Sequence, residues 1–351
     1  MHLQEKFLQL LHSPDEANVA IALEMAKGLP EIDLSARLMT YRGLYHCLIN
    51  ELDNEEELLP AHIAVLNQPR IDAARRSLTM LPDTIGQLRH LQQLSLLENE
   101  LKVLPESIGK LTNLVELNVA DNELTSLPDG LGNLSALQRL CLTWNNLEVL
   151  PECLITLTAL QDIDLSANDV KQLPEWIGNF QALRTLDLCS NNLKSLPQGL
   201  GKLVNLEELY LKSNLLSTLP DCLQHLTSLK ELLLEHNGLT TLPDWLGTLT
   251  NLESLRFTNN HLNYLPETIG KLTKLKELQL GSNQLVKLPD SIGLLTNLEF
   301  LIVLKNNLTT LPEGIRHLHK LKFLNIRSNS LPSSEVDKAK AWLPHCEVID
   351  H

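Results

Sequence analysis

The dipeptide Leu-Pro returns every 23 residues, at Leu81, Leu104, Leu127, Leu150, Leu173, Leu196, Leu219, Leu242, Leu265, Leu288 and Leu311. Eighteen residues after each of these leucines stands an asparagine, from Asn99 and Asn122 through to Asn306 and Asn329. A period of this length sustained over eleven copies commits the chain to a solenoid. Each copy is one supersecondary unit that cannot bury its apolar side alone, so the copies must stack.

The hydrophobic spacing changes inside each copy. In the unit Leu81 to Val103, Leu94-Ser95-Leu96 alternates as a strand with one buried face must, while Ile85, Leu88 and Leu91 are spaced for a helical or irregular return path. Stacking then sets the strands side by side in a parallel sheet. An asparagine has one carbonyl acceptor and two amide donors, so a buried column of them can bridge backbone groups of successive turns. The residue after each Leu-Pro is an acid at Asp83, Glu106, Asp129, Glu152, Glu175, Asp221, Asp244, Glu267, Asp290 and Glu313, with Gln198 the exception. In the first turn of a short helix such an acid opposes the helix dipole.

That column accounts for most of the charge. The chain has 43 Asp plus Glu against 29 Lys plus Arg, a net of −14. No basic run is present, so neither nucleic acid nor an anionic membrane is expected as a partner. No apolar run is long enough to cross a bilayer, and residues 1 to 7 lack the basic and apolar regions of a secretory signal. A cytoplasmic location follows as the expectation. The six cysteines agree with a reducing compartment, since Cys153 and Cys222 lie three units apart, roughly 14 Å at about 4.8 Å per strand, beyond disulfide reach. Free, buried thiols are expected.

From about Ile71 to Leu331 the repeat reads LPxxIGxLxxLxxLxLxxNxL, and in this the chain resembles the leucine-rich repeat family. The match is to its cytoplasmic 23-residue type, which includes scaffolds binding Ras-like GTPases and many bacterial proteins. The resemblance implies an α/β solenoid, a horseshoe with a parallel sheet on its concave face and short helical or irregular convex segments. It also implies recognition of a protein on the concave face.

Both ends depart from the repeat. Residues 1–67 are expected to form a helical N-terminal cap, with one helix from Ser13-Pro14-Asp15-Glu16, where Ser13 is the N-cap, to about Gly28. A second helix is expected on an apolar face of Leu34, Leu38, Tyr41, Tyr45 and Leu48. Residues 68–332 hold the repeats, with Ile71 to Leu78 a degenerate first unit that places Arg76 in the asparagine column. Residues 333–351 should form a C-terminal cap, a helix started by Ser333 or Ser334 and an edge strand at Cys346 to Asp350.

No catalytic motif is found, and the chain is read as non-enzymatic, with neither metal nor cofactor. In Gly130-Leu131-Gly132 and Gly199-Leu200-Gly201 the second glycine belongs to the Ile/Leu-Gly column of the repeat, which explains the likeness to a dinucleotide fingerprint. His317 and His319 have no carboxylate or cysteine partner for a metal. Function falls to the strand residues that point away from the core. In the middle units these are Glu116, Arg139, Asp162, Asp164, Asp187, Glu208, Tyr210, Lys212, Glu231 and Glu235, which serve either as a solvated face or as a binding site. Toward the C-terminus Phe300, Ile302, Leu304 and Phe323 form an apolar cluster suited to contact with a partner or a second copy of the chain. The sequence therefore reads as a scaffold-like interaction module in signal transduction. The alternative is the recognition subunit of a small-GTPase or ubiquitin-ligase assembly whose catalysis lies on another chain.

Overall fold

The computed structural model describes residues 3–52 and 56–350, and the chain divides into two compact units, Met1–Leu160 and Gln161–His351. In the first, helices α1 (Leu3–Leu11), α2 (Glu16–Ala26), α3 (Leu34–Leu48) and α4 (Pro60–Leu66) precede strands Arg70–Asp72, Gln93–Ser95, Glu116–Asn118 and Arg139–Cys141. These strands pair in parallel and in chain order. In the second, nine strands from Asp162–Asp164 to Glu347–Ile349 pair the same way, with α5 (Ser333–Trp342) before the last. Both units are the stacked-repeat solenoid that the period predicts.

Each strand is three residues long because the backbone turns a corner just beyond it. Along Glu208-Leu209-Tyr210-Leu211, the leucines are fully buried and the residues between them look outward. Every residue immediately before a ladder asparagine, from Glu98 to Ser328, then adopts a left-handed conformation with φ between 50 and 57°. For a residue with a Cβ this costs about 1–2 kcal/mol, and the asparagine that follows offsets it. Asn214 accepts the Leu193 N–H at 3.0 Å and donates to the carbonyls of Leu188 and Leu211 at 2.8 and 3.1 Å. The expected asparagine ladder is therefore present and ties adjacent turns together.

The return path is a five-residue 3-10 turn in every repeat, opening at the residue after proline. The acid at that position does more than face a dipole. Glu106 accepts the Gly130 N–H at 2.6 Å and Glu175 the Gly199 N–H at 2.6 Å, so each carboxylate caps the turn of the following repeat. Aspartate at the same site is a methylene shorter, and Asp221 instead receives the Trp245 indole N–H at 3.1 Å. At Gly247 the close stacking favours glycine, since a Cβ there would stand 2.5 Å from the Thr268 carbonyl oxygen, whereas Ile155, Gln224 and Arg316 fill the same column in other repeats.

The ends differ from the sequence expectation in detail. The N-cap of α2 is Asp15, which accepts the Ala17 N–H at 2.8 Å, and Ser13 sits outside the helix, accepting the Asp15 N–H at 3.2 Å. Among the described residues four helices rather than two stand before the first strand. In α3 the buried stripe is Tyr41, Leu44 and Leu48, while Leu34, Leu38 and Tyr45 are half-buried. Arg76 marks the junction with the repeats as expected: its guanidinium donates to the Cys47 and Ile49 carbonyls at the end of α3, at 3.0 and 2.5 Å.

At the other end neither Ser333 nor Ser334 caps α5. Pro332 occupies the N-cap position and the helix begins at Ser333 without a side-chain cap. The expected edge strand is present as Glu347–Ile349, paired with Phe323–Asn325. None of the six cysteines is in a disulfide; Cys222 is buried and the other five are half-buried rather than buried as expected. Among the described residues no helix is long and apolar enough to cross a membrane.

Candidate functional site

Three outward columns cover the sheet. The first strand residue gives Glu208, Glu231, Ser254, Glu277, Phe300 and Phe323; the third gives Asp187, Tyr210, Leu233, Arg256, Gln279 and Ile302. Two positions further along the chain lie Cys189, Lys212, Glu235, Thr258, Gly281 and Leu304. The repeat thus delivers chemically different side chains at identical backbone positions.

In the first unit Glu116 and Arg139 face each other on paired strands and form an ion pair at 2.6 Å. In the second, Asp162 and Asp164 occupy the first and third positions of one strand, and Asp164 lies beside Asp187 of the next. Asp164 accepts the Ser166 N–H at 2.9 Å and Asp187 the Cys189 N–H at 2.8 Å, so both carboxylates close local turns. Burial raises the Asp187 carboxyl above its ordinary value, and the neighbouring Asp164 charge adds to this. Burial, followed by the Asp187 charge, pushes the Cys189 thiol up to about 12, the opposite of what a nucleophilic thiolate needs.

Tyr210 stands between two acids. Its hydroxyl lies 2.9 Å from Glu208 and 3.1 Å from Glu231, although it has a single proton to donate. Lys212 is exposed. Glu235 is only 8% exposed, and its Oε2 has no hydrogen-bond partner.

One cluster on this face is absent from the sequence reading. Glu277 receives Arg256 at 2.8 Å, Ser254 at 3.1 Å and Gln279 at 2.5 Å. Burial works against its charge, but these bonds outweigh it and hold the carboxyl below its ordinary value. Beyond it Phe300 pairs in register with Phe323, and Ile302 follows on the same strand. Phe300 is 41% exposed; Ile302, Leu304 and Phe323 are half-buried. Leu304 leans across Gly281, where a Cβ would meet its side chain at 3.0 Å.

A further column runs along the rim, just ahead of each strand. Arg184, Glu207, Lys230, Glu253, Lys276, Glu299 and Lys322 alternate in sign at 23-residue intervals. Glu207 pairs with both Arg184 and Lys230, Glu253 with Lys276 at 2.6 Å, and Glu299 with Lys322 at 2.5 Å. These charges compensate one another. Reading the polar positions with the same period as the leucines reveals them.

The fold and its outward columns define a leucine-rich repeat protein. The model for a leucine-rich repeat region matches residues 44–163 and 244–340, and a second leucine rich repeat model matches residues 181–239; the chain belongs to this family. Among solved structures it is similar to a leucine-rich repeat protein of Leptospira interrogans, at 30% identity over 90% of this chain and 98% of that one, with a TM-score of 0.63. An internalin, InlF, of Listeria monocytogenes shares the fold at 21% identity, with coverage of 90% and 89% and a TM-score of 0.76. The leucine-rich repeats of FLRT2, solved in an octameric complex with latrophilin 3 and Unc5D, match at 25% identity over 81% of this chain and 90% of that chain, with a TM-score of 0.67. No curated protein matches the chain.

Proposed function

We propose that the protein is a non-enzymatic recognition module of the cytoplasm that holds a protein partner on the outward face of its sheet. The apolar cluster supports this reading most directly. Phe300 and Phe323 sit side by side on paired strands, and Phe300 remains 41% exposed although the repeat offers polar residues at the same position elsewhere. Large outward apolar groups clustered on one face mark contact surfaces, and repeat solenoids use their extended sheet face in this way. FLRT2 was solved in assembly with other proteins, which supports the same use of the architecture. Burying one such side chain stabilises a complex by roughly 1.5–3 kcal/mol, enough for two phenylalanines to anchor it.

The test is capture from source-cell lysate by the tagged chain and by its Phe300→Ala/Phe323→Ala variant, with melting and light scattering of both. Loss of one captured protein at an unchanged melting midpoint is the expected result. Early melting with capture intact would assign these residues to the core. Conversion of a dimer to a monomer with no captured protein would make the patch a surface for self-association.

A further inference from the structure

We propose that Glu235, with Thr258 beside it, seats a lysine ammonium or arginine guanidinium presented by the protein partner lying across the sheet. This rests on the recognition reading above and adds what the surface selects.

Two orphaned polar atoms carry the inference. Glu235 Oε2 and Thr258 Oγ1 are both buried without a hydrogen-bond partner, and they occupy the same column on adjacent repeats. A buried carboxylate oxygen with no hydrogen-bond donor is unfavourable by itself, and the fold supplies no donor to Oε2 from within. Arg256, two residues before Thr258 and in register with Leu233, is committed to Glu277 at 2.8 Å. Lys212, one repeat earlier in the same column, is exposed and makes no hydrogen bond to Oε2.

The surroundings call for positive charge. Glu208 and Glu231 share the single Tyr210 proton, and Asp187 has its carboxyl raised by burial and by Asp164. A neutral donor would satisfy one orphaned oxygen and leave the charge uncompensated. An ammonium or guanidinium has several donors, supplies the missing charge, and forms the stronger charge-assisted bond.

The spacing to the apolar patch describes the segment that fits. Leu304 lies three strands beyond Glu235, about 14 Å at ~4.8 Å per strand. An extended segment advancing ~3.3 Å per residue covers this in about four residues. The recognised segment therefore has a basic residue and, about four positions away, an apolar or aromatic one.

The experiment titrates the full chain calorimetrically with two short blocked peptides. Both have phenylalanine four positions from a variable site, which is arginine in one and its uncharged isostere citrulline in the other. The arginine peptide should bind about tenfold or more tightly than the citrulline peptide. Glu235→Gln should abolish that preference and Thr258→Val reduce it, whereas Glu253→Gln on the rim should keep it. Glu235→Gln removes no hydrogen bond to Oε2, so it should melt at or above the wild-type midpoint. Equal binding of the two peptides, binding of neither, or an arginine preference that survives Glu235→Gln would overturn the proposal and leave Glu235 a carboxylate satisfied by water only. Should the lysate partner be captured equally by wild type and Glu235→Gln but lost in the phenylalanine variant, the cation seat fails while the recognition surface stands.

Discussion

Glu335, in the first turn of α5, accepts the Leu311 N–H at 3.0 Å and so satisfies the backbone of the last Leu-Pro turn with a carboxylate from outside the repeat. Lys338 pairs with the same side chain at 2.5 Å. A buried, charge-assisted contact thus ties α5 to the last repeat, beside the pairing of the edge strand.

Replacing Glu335 by Ala should leave the Leu311 N–H unpaired and lower stability by about 1–3 kcal/mol. The Leu311 bond first, and Lys338 second, hold the Glu335 carboxyl below its ordinary 4.5. Its contribution is therefore complete above about pH 4.5 and is lost as the pH falls further. Urea melts of wild type and Glu335→Ala should converge in acid; a constant gap would refute the assignment.

The asparagine ladder should weaken toward the end. Asn214→Ala strands the Leu193 N–H and two carbonyls in a buried site, at about 1–3 kcal/mol. Asn329 makes the matching bonds to Leu308, Val303 and Ile326 but is half-exposed, so water replaces part of what Asn329→Ala removes. Equal midpoints for the two variants in urea would contradict a buried ladder.

Arg76→Leu should uncouple α3 from the first repeat, because the Cys47 and Ile49 carbonyls lose their donors. Amide exchange in α3 should accelerate strongly while exchange in strands of the second unit stays slow. Uniform acceleration would show instead that Arg76 acts on global stability.

Acid should loosen the first unit above the carboxylate range. Burial foremost, then His90 and Arg37, lowers the His12 pKa below 6.5; burial lowers that of His90, against its contact with the Leu66 carbonyl at 3.0 Å. The unfolded chain takes up these protons more readily than the folded one, so stability is full above about pH 6.5 and declines below it. His12→Gln/His90→Gln should flatten the decline between about pH 6.5 and 5, measured by urea midpoint.

The period made the strands, the 3-10 turns and the asparagine ladder legible, because each rests on a residue type that recurs in every copy. The helices before the repeats gave weaker signals. The N-cap residue of α4 is Leu59, whose side chain offers no polar cap. For the outward columns, alternation assigns a direction and not a depth. Whether Glu235 is solvated or enclosed depends on side chains from neighbouring repeats, and its burial emerged only in three dimensions. The Glu277 cluster was missed for a related reason: Arg256 lies 21 residues before its partner, so the pair is invisible to local reading.

The alternating rim would also act as a parity check on assembly. Copies this similar could pair out of turn, with one looped out and its two neighbours joined. Any such skip would set Arg184 against Lys230, Glu207 against Glu253 or Lys276 against Lys322, and like charges directly opposed are destabilising. Correct stacking sets opposite signs together at every step. Replacing all seven rim residues by Gln should therefore leave the folded midpoint nearly unchanged while multiplying slow, misassembled species on refolding. A column that adds little to the finished fold would then keep count of its copies while it forms.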